Sequence, residues 1–250
     1  MNLKIMEVAI IEELSKMLCD RRVVSIEEIE RKAIRAALRS LGENAIAVNS
    51  DLLDLVKSSF IEYPITLKSL HYSEEVEVSG IRFYHPHTYK PKAEDFEEAY
   101  REYLISKSYL DRLNDMKEIT DRFFNGYTAR GEILREYTKG NYRYFVFYST
   151  INDVYEDIDY HVRVSETVGG EYVVVVPTEE HCAPFHKFYR HLSEEVKKAN
   201  MKVWVANTFE KTIDPFIGYP RDFTLLKGFK NPKLAALISS YWRVKVDRID

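Results

Sequence analysis

The sequence predicts an α/β protein, and three observations point to that class. The first is the stretch Glu171–Pro177 (EYVVVVP), in which four consecutive valines precede a proline. A run so apolar and β-branched is typical of a strand buried on both faces, and such strands lie in the middle of sheets. The second is a set of strand-like segments on either side of it. The third is a series of apolar residues at helical spacings of three and four along much of the remaining chain.

Composition limits the classes of protein to consider. The chain has 250 residues, of which 45% are apolar and 30% charged, with a net charge of -4, as expected for a globular protein of one or two domains. Its two cysteines, Cys19 and Cys182, belong to no CxxC pair. No apolar run approaches the roughly 18 residues of a membrane span, and no basic, then apolar, leader begins the chain. We therefore expect a cytoplasmic protein with no membrane association. The abundance of Glu, Lys, Arg, Ile and Tyr is typical of thermophiles.

The N-terminal part, residues 1–88, is predicted to be a helical module with a β-hairpin. Ser25 is placed to cap the second helix, and Glu28 to close a capping box. Three helices followed by a hairpin resemble the outline of a winged helix, which implies a DNA contact or a partner-binding module. The predicted elements are helices over Leu3–Leu18, residues 26–41 and Leu52–Phe60, and strands over Ile65–His71 and Val76–His85.

Residues 89–126 are predicted to be a charged helical connector. Pro86 and Pro91 mark the boundary before it. The segments Ala93–Lys107 and Tyr109–Phe124 carry acids and bases interleaved at helical pair spacings, which favours solvated helices.

Residues 127–250 are predicted to form an α/β core with a mixed sheet and a terminal helix. The periodicities give the element order αβββαβ, followed by a loop-like stretch and the last helix. The predicted elements are a helix over Gly131–Tyr137, strands over Tyr142–Ser149, Asp157–Val164 and Glu171–Pro177, a helix over Pro184–Asn200, a strand over Met201–Asn207, a loop over Ile213–Phe223, and a helix over Lys233–Trp242.

This element order and the acids of YEDIDY (residues 155–160) resemble the restriction-endonuclease-like, or PD-(D/E)xK, nucleases. In that family the first helix often offers a Glu, the second strand begins with a metal-binding Asp, and the third strand carries an acid and a Lys. There, carboxylates hold a Mg²⁺ that activates water, and the Lys stabilises the developing charge. The resemblance implies Mg²⁺ if the protein is catalytic, with Asp157 and Glu171 as its ligands. The implied catalytic residues are Glu136 (or Glu132), Asp157, Asp159, Glu171 and Lys187.

The chain departs from the family at the third strand, where valines replace the acid and the Lys. Glu171 precedes that strand, and Lys187 on the following helix is the substitute cation. We therefore predict a nucleic-acid-associated protein, DNA-binding or regulatory, whose catalytic motif is degenerate. Two alternatives stay open: an active metal-dependent nuclease with a rearranged site, and a non-enzymatic interaction scaffold of viral, mobile-element or transcription-related origin. A protein partner and a homodimer are compatible with either.

Two further patterns are compatible with other chemistry. Asp157 and Asp159 form a DxD, as in nucleotidyltransferases and primase-polymerases, but the Gly-Ser pair and the Ser-x-His strand of those families are missing. Cys182 and His186, in HCAPFHKFYRH, have the spacing of a helical zinc-ligand pair. A helix with partly exposed histidines explains the same pattern.

The segment from Arg221 to the end of the sequence is the most basic part of the chain. An acidic protein can bind phosphates only where its cations are segregated, so this segment is the predicted nucleic-acid-binding region. It follows the loop Asp214–Arg221 (DPFIGYPR), whose aromatic residues are costly to expose unless they pack or bind. The predicted contact residues are Arg221, Lys227, Lys230 and Lys233.

Overall fold

The computed structural model describes residues 2–61, 72–179 and 181–238. These residues form helices and two sheets, so the predicted α/β class is confirmed. The chain divides into two compact units, Met1–Asp111 and Arg112–Asp250. Within the part of the chain that is described, no helix is both long and apolar enough to span a membrane.

Among its described residues, the first unit contains three complete helices, the start of a fourth, and a small antiparallel sheet with the strand order β1-β3-β2. Three helices precede a hairpin, as predicted, and a short strand that was not predicted lies between the first two helices. The elements are α1 (Leu3–Met17), β1 (Val24–Ser25), α2 (Ile26–Leu41), α3 (Ser50–Ile61), β2 (Glu74–Val78) and β3 (Ile81–His85), with a 3-10 turn at Gly42–Ala47.

The hairpin differs from the predicted one. Val76–His85 is not a single strand, because it turns at Ser79 and Gly80 so that Val78 pairs with Ile81. Both turn residues have positive φ, the conformation that a two-residue hairpin turn with matching twist requires. The predicted strand Ile65–His71 lies outside the described residues.

Helix α2 is at the centre of the first unit and is buried along almost its whole length. The Ser25 hydroxyl accepts a hydrogen bond from the backbone N–H of Glu28, which confirms the predicted cap. The Glu28 carboxylate is fully buried and accepts hydrogen bonds from the Arg21 guanidinium (2.8 and 3.2 Å) and the Lys32 ammonium (2.8 Å). The helix ends at Gly42, whose φ of 55° is in the region that favours glycine.

The predicted charged connector is one continuous helix, α4 (Ala93–Phe123), rather than two segments. The division between the two compact units falls within it, between Asp111 and Arg112.

The second unit is built on a six-stranded mixed sheet with the order β4-β5-β6-β7-β8-β9. Strands β6, β7 and β8 run parallel, and the other neighbouring pairs run antiparallel. The elements are β4 (Thr128–Arg130), β5 (Leu134–Lys139), β6 (Tyr142–Tyr148), α5 (Ile151–Glu156), α6 (Ile158–Thr167), β7 (Glu171–Pro177), α7 (Ala183–Lys198), β8 (Lys202–Asn207), β9 (Thr212–Ile217) and α8 (Phe223–Leu226).

The valine run is a central strand of this sheet, as predicted. All seven residues of β7 are buried, between β6 and β8. The turn before β7 brings the backbone of Gly170 close to the backbone of Arg143. Only glycine fits there, since a Cβ on residue 170 would lie 2.5 Å from the Arg143 carbonyl oxygen. Helix α7 and strand β8 also follow the predicted positions.

Two predicted elements of this unit are wrong in type. Gly131–Tyr137 is not a helix, because residues from Leu134 onwards pair with β6 through a two-residue Gly140-Asn141 hairpin turn. Asp157–Val164 is not a strand. It is helical, and its buried residues Asp157, His161 and Val164 recur at spacings of four and three.

Two further differences concern the C-terminal end. Residues 213–217 of the predicted loop belong to β9, an edge strand, where Pro215 is tolerated. The predicted terminal helix, Lys233–Trp242, is helical at residues 234–238, and the remainder lies outside the described residues.

The αβββαβ order therefore exists, but with other members than predicted. It consists of α4, β4, β5, β6, the α5–α6 pair and β7, so the third strand of the series is β6 and not β7.

Candidate nucleic-acid interface

The predicted catalytic residues of the second unit are divided between the two faces of the sheet. Glu171 and Tyr172 are neighbours in β7, so their side chains point to opposite faces of the sheet. Asp157 lies on the Tyr172 face, where its charge acts on the Tyr172 hydroxyl. Glu136 lies on that face too, since it pairs with Phe145, which pairs with Tyr172. The proposed metal ligands Asp157 and Glu171 are therefore separated by the sheet.

Glu136 forms two ion pairs rather than a metal site. Its buried carboxylate accepts hydrogen bonds from Arg130 of β4 and from Arg143 of β6, the two neighbouring strands. Burial by itself would raise the pKa of the Glu136 carboxyl, but the two guanidinium groups outweigh it and hold the pKa below its ordinary value.

This arrangement predicts an acid-sensitive contribution of Glu136 to stability. A carboxyl whose pKa is lower in the folded than in the unfolded chain stabilises the fold above the ordinary value of 4.5, and that stabilisation is lost as pH falls through the folded-state pKa. We expect Glu136→Gln to lower the free energy of unfolding at pH 7 by about 1 to 3 kcal/mol.

Urea unfolding from pH 7 down to acidic pH checks this prediction, with the exposed Glu166→Gln as the matched control. The difference in the free energy of unfolding between the parent and Glu136→Gln should become smaller below pH 4.5. The control should differ little from the parent at any pH. A difference that stays constant with pH would contradict the assignment.

Glu171 anchors the loop that follows β9. Its carboxylate lies 2.9 Å from the Lys202 ammonium, accepts the backbone N–H of Arg221 at 3.0 and 3.3 Å, and hydrogen-bonds to the Tyr144 hydroxyl. The Tyr144 hydroxyl in turn accepts the backbone N–H of Asp222. These contacts fix the end of the distinctive DPFIGYPR stretch against the sheet, and they explain why a buried acid begins β7.

The remaining candidates have local roles. Asp157 is buried at the junction of α5 and α6. Burial of the Tyr172 hydroxyl, together with the negative charge of Asp157, raises the pKa of Tyr172 well above its ordinary value. Asp159 is exposed in the first turn of α6. The Lys187 ammonium lies over the Tyr155 ring, 4.4 Å from its centroid. Among residues 2–61, 72–179 and 181–238, no group of three or more His, Cys, Asp or Glu is placed to hold a metal ion.

The predicted nucleic-acid-binding residues lie together in one exposed stretch, Arg221–Lys233, which we call the basic segment. All four of its predicted cations are exposed. Lys230 pairs with Glu210 at 2.6 Å, whereas Arg221, Lys227 and Lys233 form no ion pair with any described residue. Two aromatic rings beside or within the segment are exposed as well, Tyr219 by 53% and Phe223 by 77%.

A groove of about 310 Å³ adjoins the basic segment along the edge strand β9. We call it the β9 groove. Helix α7 contributes one wall, and the residues from Pro232 to Ala236 contribute the other. The residues that give it its chemistry are Tyr189, Lys197, Phe216, Tyr219, Pro232 and Lys233.

Comparison with protein families divides the chain in a similar place. Residues 102–231, more than half of the chain, match the model described as "Domain of unknown function (DUF6834), C-terminal domain". The chain belongs to the DUF6834 family. Residues 9–100 match a second model, "Domain of unknown function (DUF6846)". A search of curated proteins gave no match.

The DUF6834 region contains the whole six-stranded sheet and most of the basic segment. The groove wall from Pro232 to Ala236 lies just beyond it. Sequence reasoning missed Tyr189 and Phe216 as groove residues. The one signal for them was the aromatic loop Asp214–Arg221, but the sequence does not show that α7 packs beside it.

The DUF6846 region has charges that oppose DNA binding. In a helix-turn-helix the second helix lies in the major groove, and here that helix, α3, exposes Asp51 and Asp54. The hairpin exposes Glu75 and Glu77. Carboxylates at these positions repel phosphates, so the predicted N-terminal DNA contact has no support from the charge of these two elements.

Proposed function

We propose that this protein associates with nucleic acid through a restriction-endonuclease-like core without a working catalytic site. The order α4, β4–β6, α5–α6, β7 supports the resemblance. Under this alignment the family's acid and Lys fall on β6, whose sequence YRYFVFY contains neither a carboxylate nor a lysine. The Asp of the second strand falls at the start of β5, which begins with Leu134.

The observation that carries the proposal is the exposed basic segment. Association with phosphates draws most of its free energy from clustered cations, and this otherwise acidic chain concentrates four of them over thirteen residues. Aromatic rings beside cations are typical of surfaces that bind nucleic acid, because rings stack on bases while cations contact the backbone. We expect weak to moderate affinity in the cytoplasm, with no requirement for Mg²⁺.

The test is an anisotropy titration of labelled single-stranded DNA, duplex DNA and RNA at low salt. Replacing Lys227, Lys230 and Lys233 together with Glu should weaken binding of every sequence alike, because phosphate contacts carry no base information. Binding by the parent should fall steeply with salt, with a slope set by the number of phosphates contacted. The loss in the triple variant should be about tenfold or more at low salt.

A matched control replaces Lys4, Lys90 and Lys92 with Glu, which changes the net charge equally at exposed positions of the first unit. This control should retain most of the affinity. An equal loss of nucleic-acid affinity in both triple variants would show an effect of net charge alone. It would contradict the assignment of binding to the basic segment. Cleavage of the DNA in Mg²⁺ or Mn²⁺ would instead favour the rearranged-nuclease alternative.

A protein-interaction function for the first unit is the second candidate. The specific observation is the acidic exposed surface of α3 and the hairpin, which disfavours nucleic acid at the elements a winged helix uses for it. Charge reversal in the full-length protein checks this, since Asp51→Lys with Asp54→Lys should leave nucleic-acid affinity within about twofold of the parent. A large gain or loss would place the first unit at the nucleic-acid interface.

A further inference from the structure

The β9 groove combines aromatic surface with positive charge. The Tyr219 ring is half exposed, and its hydroxyl donates a hydrogen bond to the Pro232 carbonyl oxygen at 2.6 Å, across the groove. The buried Phe216 ring packs against Phe185 and Tyr189, at centroid distances of 5.3 and 5.8 Å. The Tyr219 ring is therefore held by the Pro232 wall, and the Phe216 ring is held by the α7 wall.

Lysines stand on both sides of these rings. Lys197 on α7 pairs with Glu194 at 2.7 Å and lies over the Tyr189 ring, 5.6 Å from its centroid. Lys233, on the opposite wall, is exposed. Flat apolar surface flanked by two ammonium groups suits a ligand that has a flat base and a phosphate on either side.

We infer that the β9 groove is a base-binding subsite, and that it makes the protein prefer single-stranded nucleic acid to duplex. This inference rests on the proposed association with nucleic acid and specifies its substrate class. An unpaired base stacks on Tyr219, while Lys197 and Lys233 contact the flanking phosphates.

The dimensions of the groove favour a single strand. A cavity of about 310 Å³ has the size of a small-molecule site, and only an extruded or unpaired base can enter it. In a duplex the bases are stacked inside and present no free ring face. Unpaired bases need no unstacking, so the groove adds affinity for single strands and none for duplex.

A proline-rich peptide is the other class of ligand that an aromatic groove can take. The two lysines favour the nucleic acid, because a polyproline segment has no negative charge for them to neutralise. The peptide is therefore an outcome of the test and not part of the inference.

The experiment compares a labelled dT12 oligonucleotide with a 12-base-pair duplex, by anisotropy at low salt, on the full chain. Tyr219→Leu should weaken dT12 binding about 5- to 150-fold, the effect of losing one stacked base, and leave duplex binding unchanged. Tyr219→Phe keeps the ring but loses the hydrogen bond to Pro232, and it should retain most of the dT12 affinity. Phe209→Leu removes a ring that is 95% exposed in the β8–β9 turn, outside the groove, and should have no effect on either ligand. Circular dichroism melts check that each variant is folded.

The possible results separate the inference from the proposed function. Equal affinity for dT12 and duplex, with no effect of Tyr219→Leu, would overturn the inference and leave nucleic-acid association intact. Absence of binding to both would overturn the proposed function and, with it, the inference. A poly-proline peptide that binds the parent but not Tyr219→Leu, while dT12 binding is unaffected, would assign the groove to peptides and overturn the inference.

Discussion

Val174→Asp is expected to prevent folding of the second unit. Val174 is 0% exposed in the middle of β7, where it pairs with Phe147 on one side and Val203 on the other. A carboxylate there would be buried without a partner, at a cost of several kcal/mol. Because small domains are stable by only about 5 to 15 kcal/mol, this one substitution removes much or all of the margin. Loss of the cooperative melt in circular dichroism is the expected observation.

Two control substitutions test whether burial of the charge causes the loss of stability. Val174→Thr keeps the shape and adds one hydroxyl, so a smaller loss of about 1 to 3 kcal/mol is expected. Val8→Asp places the same charge on an exposed valine of α1 and should change stability by about 0.5 kcal/mol or less. A Val174→Asp protein that melts close to the parent temperature would show that β7 is not a central buried strand.

Glu28→Ala is expected to destabilise the first unit by about 3 to 5 kcal/mol. The Glu28 carboxylate is 0% exposed and neutralises both Arg21 and Lys32, which are themselves nearly buried. Removing it leaves two cations in the interior with one fewer counter-charge. Arg21 keeps its contact with Glu98, which is more exposed and replaces only part of the interaction. Urea unfolding of the full chain, followed by far-UV circular dichroism, measures the loss.

The control for this prediction is the neighbouring residue. Glu27→Gln alters the same first turn of α2 at a partly exposed position and should cost about 0.5 kcal/mol or less. The triple variant Arg21→Met, Glu28→Leu and Lys32→Met removes all three charges together, and it should be far more stable than Glu28→Ala because no buried charge is left unpaired. Equal destabilisation by Glu28→Ala and Glu27→Gln would contradict the role of the buried network.

The parts of the fold that sequence predicted correctly are those in which a local signal and tertiary packing agree. Ser25 caps α2, Gly42 ends it, and the valine run of β7 is buried on both faces. Each of these depends on a few adjacent residues, whose preference does not change when the chain folds.

The segments predicted with the wrong secondary structure are those whose apolar residues fit both a helical and a strand spacing. The stretch from Asp157 to Val164 alternates polar and apolar residues well enough for a strand, yet burial at spacings of four and three, at Asp157, His161 and Val164, makes it helical. The stretch before Gly140 has helical spacing, but the Gly140-Asn141 turn pairs it with β6. Hairpin pairing supplied hydrogen bonds that local propensity could not anticipate.

For the candidate site, the sequence by itself determined the composition of the basic segment and the absence of an acid-x-Lys pair in any strand-like run. Only the tertiary structure decided that Asp157 and Glu171 lie on opposite faces of the sheet, and that Tyr189 of α7 packs against Phe216 and lines the same groove as Tyr219. The physical reason is that a sequence pattern reports which face of its own element a residue occupies. Which elements become neighbours depends on strand order and register, and these are set by the burial of the whole sheet.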